Sequence, residues 1–175
     1  MAQRNSRAGL KKVRALAIDV DGVLTDGGVW WGPNGEEWKR FSFGDIMAVS
    51  LARRAGLMLG LISGENSALV DRYAEKMLIK HVAKGCRDKA AAVREFASAA
   101  GVSLAEVCFM GDDVNDLPAM AITGFSAAPA SATAVVLKEA LFVTKAPGGN
   151  GAVRELVDAL LAARHLTPQE VFARD

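Results

Sequence analysis

The stretch Val13-Arg14-Ala15-Leu16-Ala17-Ile18-Asp19-Val20-Asp21-Gly22-Val23-Leu24-Thr25-Asp26-Gly27-Gly28 decides how this chain is read. Its first half, Val13–Val20, is a nearly continuous apolar run. That is the pattern of a strand covered on both faces, as in a parallel sheet, rather than of a half-solvated strand. Its second half puts two carboxylates, Asp19 and Asp21, where the chain begins to turn. Like charges held together away from water are costly unless a cation or a reaction compensates.

Outward from this run, apolar stretches alternate with helical patterns. Strands are expected at Leu57–Ile62, Ile79–Ala83, Val107–Met110, Thr123–Ala127 and Leu141–Thr144. Helices are expected from Asp45, as a cap, to Arg54, and over Ser67–Met77, Asp88–Ala100, Asp116–Ile122 and Ala152–His165. Thr167-Pro168-Gln169-Glu170 has the spacing of a capping box and opens a last short helix within 166–175. Trp30-Trp31 and Trp38–Phe41 flank Gly32-Pro33-Asn34-Gly35, which predicts a β-hairpin over 28–42. A ribbon this aromatic packs either on its own core or on another subunit, and the second is expected here. The alternation predicts an α/β fold, a doubly wound parallel sheet with helices on both faces, in one domain spanning residues 1–175.

Composition narrows the function. The 175 residues carry a net charge of +1, which gives no reason to expect a nucleic-acid partner. Basic residues at Arg4, Arg7, Lys11, Lys12 and Arg14 suggest a solvated tail over 1–10. Asp19 and Asp21 interrupt the apolar run that a secretory signal would need, and no stretch has the apolar length of a membrane span. Cys86 and Cys108 form no metal-ligand cluster and read as reduced thiols, so a cytoplasmic location is expected.

In doubly wound sheets the ligand site lies at the carboxyl ends of the strands. Asp19 and Asp21, Ser63 and Gly64, and Asp112 and Asp113 all follow strand ends, and Lys89 opens a helix. The set suits a hard divalent cation such as Mg²⁺, with Asp19 and Asp112 as its first-choice carboxylates. Lys89 and Ser63 suit phosphoryl oxygens. Asp21 stands within reach of a leaving oxygen as general acid and base.

Asp19-Val20-Asp21-Gly22-Val23-Leu24-Thr25, then Ser63-Gly64, Lys89 and Gly111-Asp112-Asp113-Val114-Asn115-Asp116 resemble the four motifs of haloacid-dehalogenase-type phosphatases. The resemblance implies Asp19 as nucleophile and Asp21 as acid/base. It also implies Mg²⁺ on Asp19, Asp112 and the carbonyl of Asp21, with Asp113, Asn115 and Asp116 in support. Only 36 residues separate Asp26 from Ser63, and 25 separate Ser63 from Lys89, too few for a cap domain beyond the hairpin. With Gly148-Gly149-Asn150-Gly151-Ala152-Val153-Arg154-Glu155, the chain resembles the capless 3-deoxy-D-manno-octulosonate 8-phosphate and nononate 9-phosphate phosphatases. That resemblance implies a sugar-acid phosphate substrate and a homotetramer in which a neighbour's hairpin covers each site. Glu65 and Lys76 are more similar to the nononate enzymes. Asp45 and Arg154 complete the substrate candidates, beside plainer readings as a helix cap and an ion-pair partner; Lys76 also reads as a solvated helix lysine.

Three rivals stand beside this reading. One is a phosphatase of broad sugar-phosphate specificity. Another is a phosphoacceptor signalling domain, although that class lacks an acid two residues after the phosphorylated Asp. The last is a silent assembly domain. P-loop nucleotide chemistry is excluded, because GxxxxGK[ST] does not occur.

Overall fold

Six short segments rich in apolar residues form the central sheet of the computed structural model, which describes residues 8–173. They are β1 (Ala15–Ile18), β4 (Met58–Ile62), β5 (His81–Ala83), β6 (Val107–Met110), β7 (Phe125–Ala128) and β8 (Phe142–Val143). The order is β5-β4-β1-β6-β7-β8, and every pairing is parallel. Two further strands, β2 (Trp30–Trp31) and β3 (Glu37–Trp38), make a separate antiparallel ribbon. The chain leaves β1 for one edge and later returns to its other side. β1 is therefore the switch point of the sheet, and its carboxyl end is where a ligand site is expected.

Alternation along β1 divides the core. Leu16 and Ile18 face one apolar layer, and Ala15 and Ala17 the other. On the first face lie α1 (Phe43–Arg54), α2 (Ala68–Met77), α6 (Ala152–Ala163) and α7 (Pro168–Phe172); on the second lie α3 (Lys89–Ala100), α4 (Leu117–Ile122) and α5 (Ala134–Glu139). Val153, Leu156, Val157, Leu160 and Leu161 of α6 repeat at helical spacing and are fully buried. Truncating Leu160 to Ala would cost about 2–5 kcal/mol. α7 carries the predicted capping box, with Thr167 and Glu170 bonded reciprocally.

Several expectations change. β1 is shorter than Val13–Val20, because Val20–Leu24 already forms a tight turn. Residues 8–12 are helical and Leu10 is buried, so the tail proposed for 1–10 is not wholly solvated; Arg4 and Arg7 lie outside the described residues. Helix α5 was not foreseen: Ala134-Val135-Val136-Leu137-Lys138-Glu139 has a weak helical pattern, and Thr133 makes no side-chain capping bond. The cap of α1 is Ser42 rather than Asp45.

Candidate active site

The site begins with the turn after β1. Asp19 is extended and its Oδ1 accepts the Val20 N–H at 2.8 Å. Gly22 has φ +82°, and a Cβ there would lie 2.1 Å from Asp112 Oδ2, so two loops meet where only glycine fits. Thr25, fully buried, accepts the N–H groups of Gly22 and Gly27 and folds the turn back on itself. Behind it, a Cβ at Gly148 would fall 1.8 Å from the Gly22 carbonyl oxygen. The late glycine motif thus braces the turn from the rear.

Lys89, the first residue of α3, is almost fully buried and places Nζ 2.9 Å from Asp19 Oδ2 and 2.6 Å from Asp116 Oδ1. A lysine opening a helix opposes the helix dipole, and these two carboxylates compensate for it. Burial works against the Lys89 ammonium, but Asp19 and Asp116 outweigh it and hold its pKa above the ordinary value. Asp116 Oδ2 accepts the N–H groups of Asp112 and Asp113 at 2.8 and 3.1 Å. Asp19, Asp112 and Asp116 bring one oxygen each within 4.8 Å of one another. Asp116 is fully buried beneath the cavity, where it holds the loop and the lysine, whereas Asp19 and Asp112 line the cavity itself. Asp19 and Asp112 are the carboxylates left to take a cation. Burial, then the Asp116 charge, raises the Asp19 pKa to about 7, and the same causes raise Asp112 to about 6. Hard oxygen donors paying this desolvation cost fit Mg²⁺.

A cavity of about 250 Å³ is lined by Asp19, Asp21, Gly64, Glu65, Lys89, Asp112, Asp113 and Asn115 among others. It shares Glu65 with a neighbouring recess of about 350 Å³ that also includes Glu37, Asn66 and Ser67. Ser63 is fully buried, and its hydroxyl accepts the Glu65 N–H; its neighbours Gly64 and Glu65 form the wall. Three substrate candidates are not in this cavity. Asp45 is buried and caps α6 across the molecule, accepting the N–H groups of Gly151 and Arg154 at 2.9 Å each. Arg154 turns to Asp158, one helical turn on. Lys76 is exposed in the last turn of α2.

The hairpin supplies what the sequence reading missed. Lys39, 5% exposed along its side chain, lies 2.8 Å from Asp21 Oδ1 and 3.4 Å from Glu37. Arg40 reaches Asp26 and donates to the Gly149 carbonyl at 3.0 Å. Phe41 stacks on Tyr73 with ring centres 4.7 Å apart. The signal was available in the strand period of two: Glu37 and Lys39 share the face opposite Trp38. Trp30, Trp31 and Trp38 remain 56, 75 and 54% exposed, so the ribbon is fastened to the rest of the chain by its polar residues and Phe41.

Residues 46–156 match the haloacid dehalogenase-like hydrolase family. The chain belongs to this family. Among its members, the 3-deoxy-D-manno-octulosonate 8-phosphate phosphatase KdsC of Escherichia coli strain K12 is 35% identical over 157 residues, 90% of this chain and 84% of that protein. The crystal structure of the Yersinia pestis octulosonate 8-phosphate phosphatase superposes with a TM-score of 0.90 at 32% identity, covering 97% of this chain and 89% of that one. The Moraxella catarrhalis enzyme, crystallised with magnesium, phosphate and KDO, gives a TM-score of 0.89 at 32% identity and covers 91 and 92% of the two chains. Among the described residues, this chain pairs a six-stranded parallel sheet with flanking helices and inserts a hairpin rather than a cap domain.

Proposed function

We propose that this hydrolase is a Mg²⁺-dependent phosphomonoesterase that releases the terminal phosphate of a 2-keto-3-deoxy sugar acid through an aspartyl-phosphate on Asp19. The observation that carries the reading is the buried Lys89 ammonium, 2.9 Å from an Asp19 carboxylate that contacts no second cation among the described residues. Asp19, the Asp21 carbonyl and Asp112 would hold the metal. When bound, it supplies positive charge that keeps Asp19 ionised and offsets repulsion between the carboxylate and the phosphoryl oxygens.

The residues divide the work as follows. Lys89 and the Gly64 region hold the phosphoryl group, while Asp113 and Asn115 support the metal-side loop. An Asp19 oxygen bonds to phosphorus as the phosphorus–alkoxide bond breaks, and Asp21 gives the leaving oxygen its proton. Water then attacks phosphorus and loses its proton to Asp21, the Asp19–phosphorus bond breaks, and the carboxylate is restored.

Octulosonate 8-phosphate is the first-choice substrate, supported by similarity to the enzymes named for it. Nononate 9-phosphate is the alternative, favoured by Glu65 on the cavity wall, where a carboxylate accepts hydrogen bonds from sugar hydroxyls. The polar recess of Glu37, Asn66 and Ser67 extends that wall for a sugar chain. We also infer a homotetramer that covers the exposed hairpin tryptophans, in a cytoplasmic enzyme. A phosphate-release screen of octulosonate 8-phosphate, nononate 9-phosphate and common sugar phosphates tests the assignment, with wild type and Glu65→Arg. Preference for a sugar-acid phosphate that shifts in the variant is expected. No phosphate release from any substrate would overturn the function, and an unchanged preference would overturn the role of Glu65.

A further inference from the structure

Lys39 is the buried cation of the site region that the mechanism above leaves without a task. Its ammonium has two carboxylate contacts, Asp21 Oδ1 at 2.8 Å and Glu37 at 3.4 Å. Burial works against the charge, but Asp21 and Glu37 outweigh it and hold the Lys39 pKa above the ordinary value. A buried ammonium is costly unless paired, so the partners are held as firmly as they hold it. Glu37 is itself fixed, since the Ser67 hydroxyl donates to it at 2.9 Å from the start of α2. The contacts run Ser67, Glu37, Lys39, Asp21, from the cavity wall to the turn after β1.

At Asp21 the two oxygens differ. Oδ1 is engaged by Lys39, whereas Oδ2 is buried and has no hydrogen-bond partner. A short carboxylate side chain otherwise has several staggered rotamers to choose among.

We propose that Lys39, delivered by the hairpin, is the positioning residue of the general acid: by holding Oδ1 it fixes the Asp21 side chain in the cavity wall for proton transfer to the leaving oxygen. The proposal rests on the phosphomonoesterase reading above. It gives the hairpin a task inside its own subunit. It also separates the two successive basic residues, Lys39 orienting the acid and Arg40 fastening the ribbon to Asp26 and Gly149.

The test uses the full chain with Mg²⁺ and two esters of similar size, phenyl phosphate and p-nitrophenyl phosphate. Phenoxide needs a proton as it leaves; p-nitrophenoxide departs largely without one. Neither ester carries a carboxylate for Lys39 to bind. Loss of a positioned acid is worth up to about 10²-fold here, at the low end for general acid catalysis. Lys39→Met should therefore lose about tenfold to a hundredfold in kcat/KM on phenyl phosphate and no more than about threefold on p-nitrophenyl phosphate. Asp21→Asn should show the same contrast more strongly. Lys39→Arg should recover most of the loss, and Glu37→Gln should show a weaker loss in the same sense. Adding Lys39→Met to Asp21→Asn should change nothing further. An equal loss on both esters, or a loss confined to KM, would overturn the positioning role and leave Lys39 a structural or substrate-binding residue. Absence of phosphate release from every ester by the wild-type chain would instead overturn the phosphatase reading, and Lys39's role with it.

Discussion

The turn after β1 and the hairpin that follows it are consecutive in the chain, yet they reverse each other's burial. Residues 19–25 bury an aspartate and a threonine and receive a buried lysine from α3. The hairpin leaves three tryptophans in the open and hides the charged end of Lys39. Ordinary folding favours the opposite arrangement in both places. The turn is fixed by several independent constraints: the Gly22 contact with Asp112, the Thr25 bonds, and Gly148 at its back. The hairpin is fixed along one side only, by Glu37 to Ser67 and by Lys39, Arg40 and Phe41 near its base. Departures from ordinary burial in the turn therefore read as chemistry, and those in the ribbon as a surface still to be covered.

The largest effect that sharpens this contrast is expected at the turn. Asp19→Asn should lower phosphate release by on the order of 10⁴-fold or more, as nucleophile removal does elsewhere. Its Tm should stay within about 4 °C of wild type, because the substitution keeps the shape and removes a poorly solvated charge. Unfolding of the variant would break the separation of chemistry from fold.

Next comes the cluster beneath the turn. Asp116→Ala removes the 2.6 Å partner of Lys89 and the acceptor for two loop N–H groups, and should cost about 3 kcal/mol in urea denaturation. A smaller cost, with Lys89 still charged, would mean that Asp19 alone satisfies the lysine.

The pH dependence of metal binding gives a third check. The folded-state pKa values of Asp19, about 7, and Asp112, about 6, lie above the ordinary value of 3.8. The metal-free native chain then holds more protons than the unfolded chain between these values. This contribution to stability is full below the unfolded pKa and is lost as pH rises through 6 and 7. A cation that binds the ionised carboxylates should therefore raise Tm more at pH 8 than at pH 5 when Mg²⁺ is added. An equal rise at both pH values would place the cation elsewhere.

The smallest effect on the subunit is expected in the ribbon. Replacing Trp30, Trp31 and Trp38 together by Ser should change the stability of the isolated subunit by no more than about 1 kcal/mol, as for other exposed side chains. Sedimentation velocity should show loss of the proposed homotetramer. A large loss of subunit stability with unchanged assembly would mean that the tryptophans pack on their own chain.

Much of this was legible in the residues. Continuous apolar runs announced the parallel sheet, and the position of carboxylates after strand ends brought Asp19, Asp21, Lys89, Asp112 and Asp113 to one place. Arg154 follows its plainer reading, an ion pair with Asp158 at the local i, i+4 spacing, and Asp45 is a cap, but of α6, more than a hundred residues on, which no local pattern carries. Helix α5 escaped because β-branched valines and an inactive cap weaken its local signal. Lys39 is masked in the sequence by the aromatic residues around it, Trp38 and Phe41, although strand alternation opposes it to Trp38.

The chemistry of the turn depends on transfer of the phosphoryl group to Asp19. Acid quenching during turnover of octulosonate 8-phosphate, borohydride reduction and peptide mass spectrometry test it directly. The prediction is conversion of position 19 alone to homoserine, absent in Asp19→Asn, and enriched in Asp21→Asn turning over p-nitrophenyl phosphate, whose leaving group needs no acid while hydrolysis of the intermediate is slowed. Rapid phosphate release with position 19 unmodified, or modification at another aspartate, would contradict it.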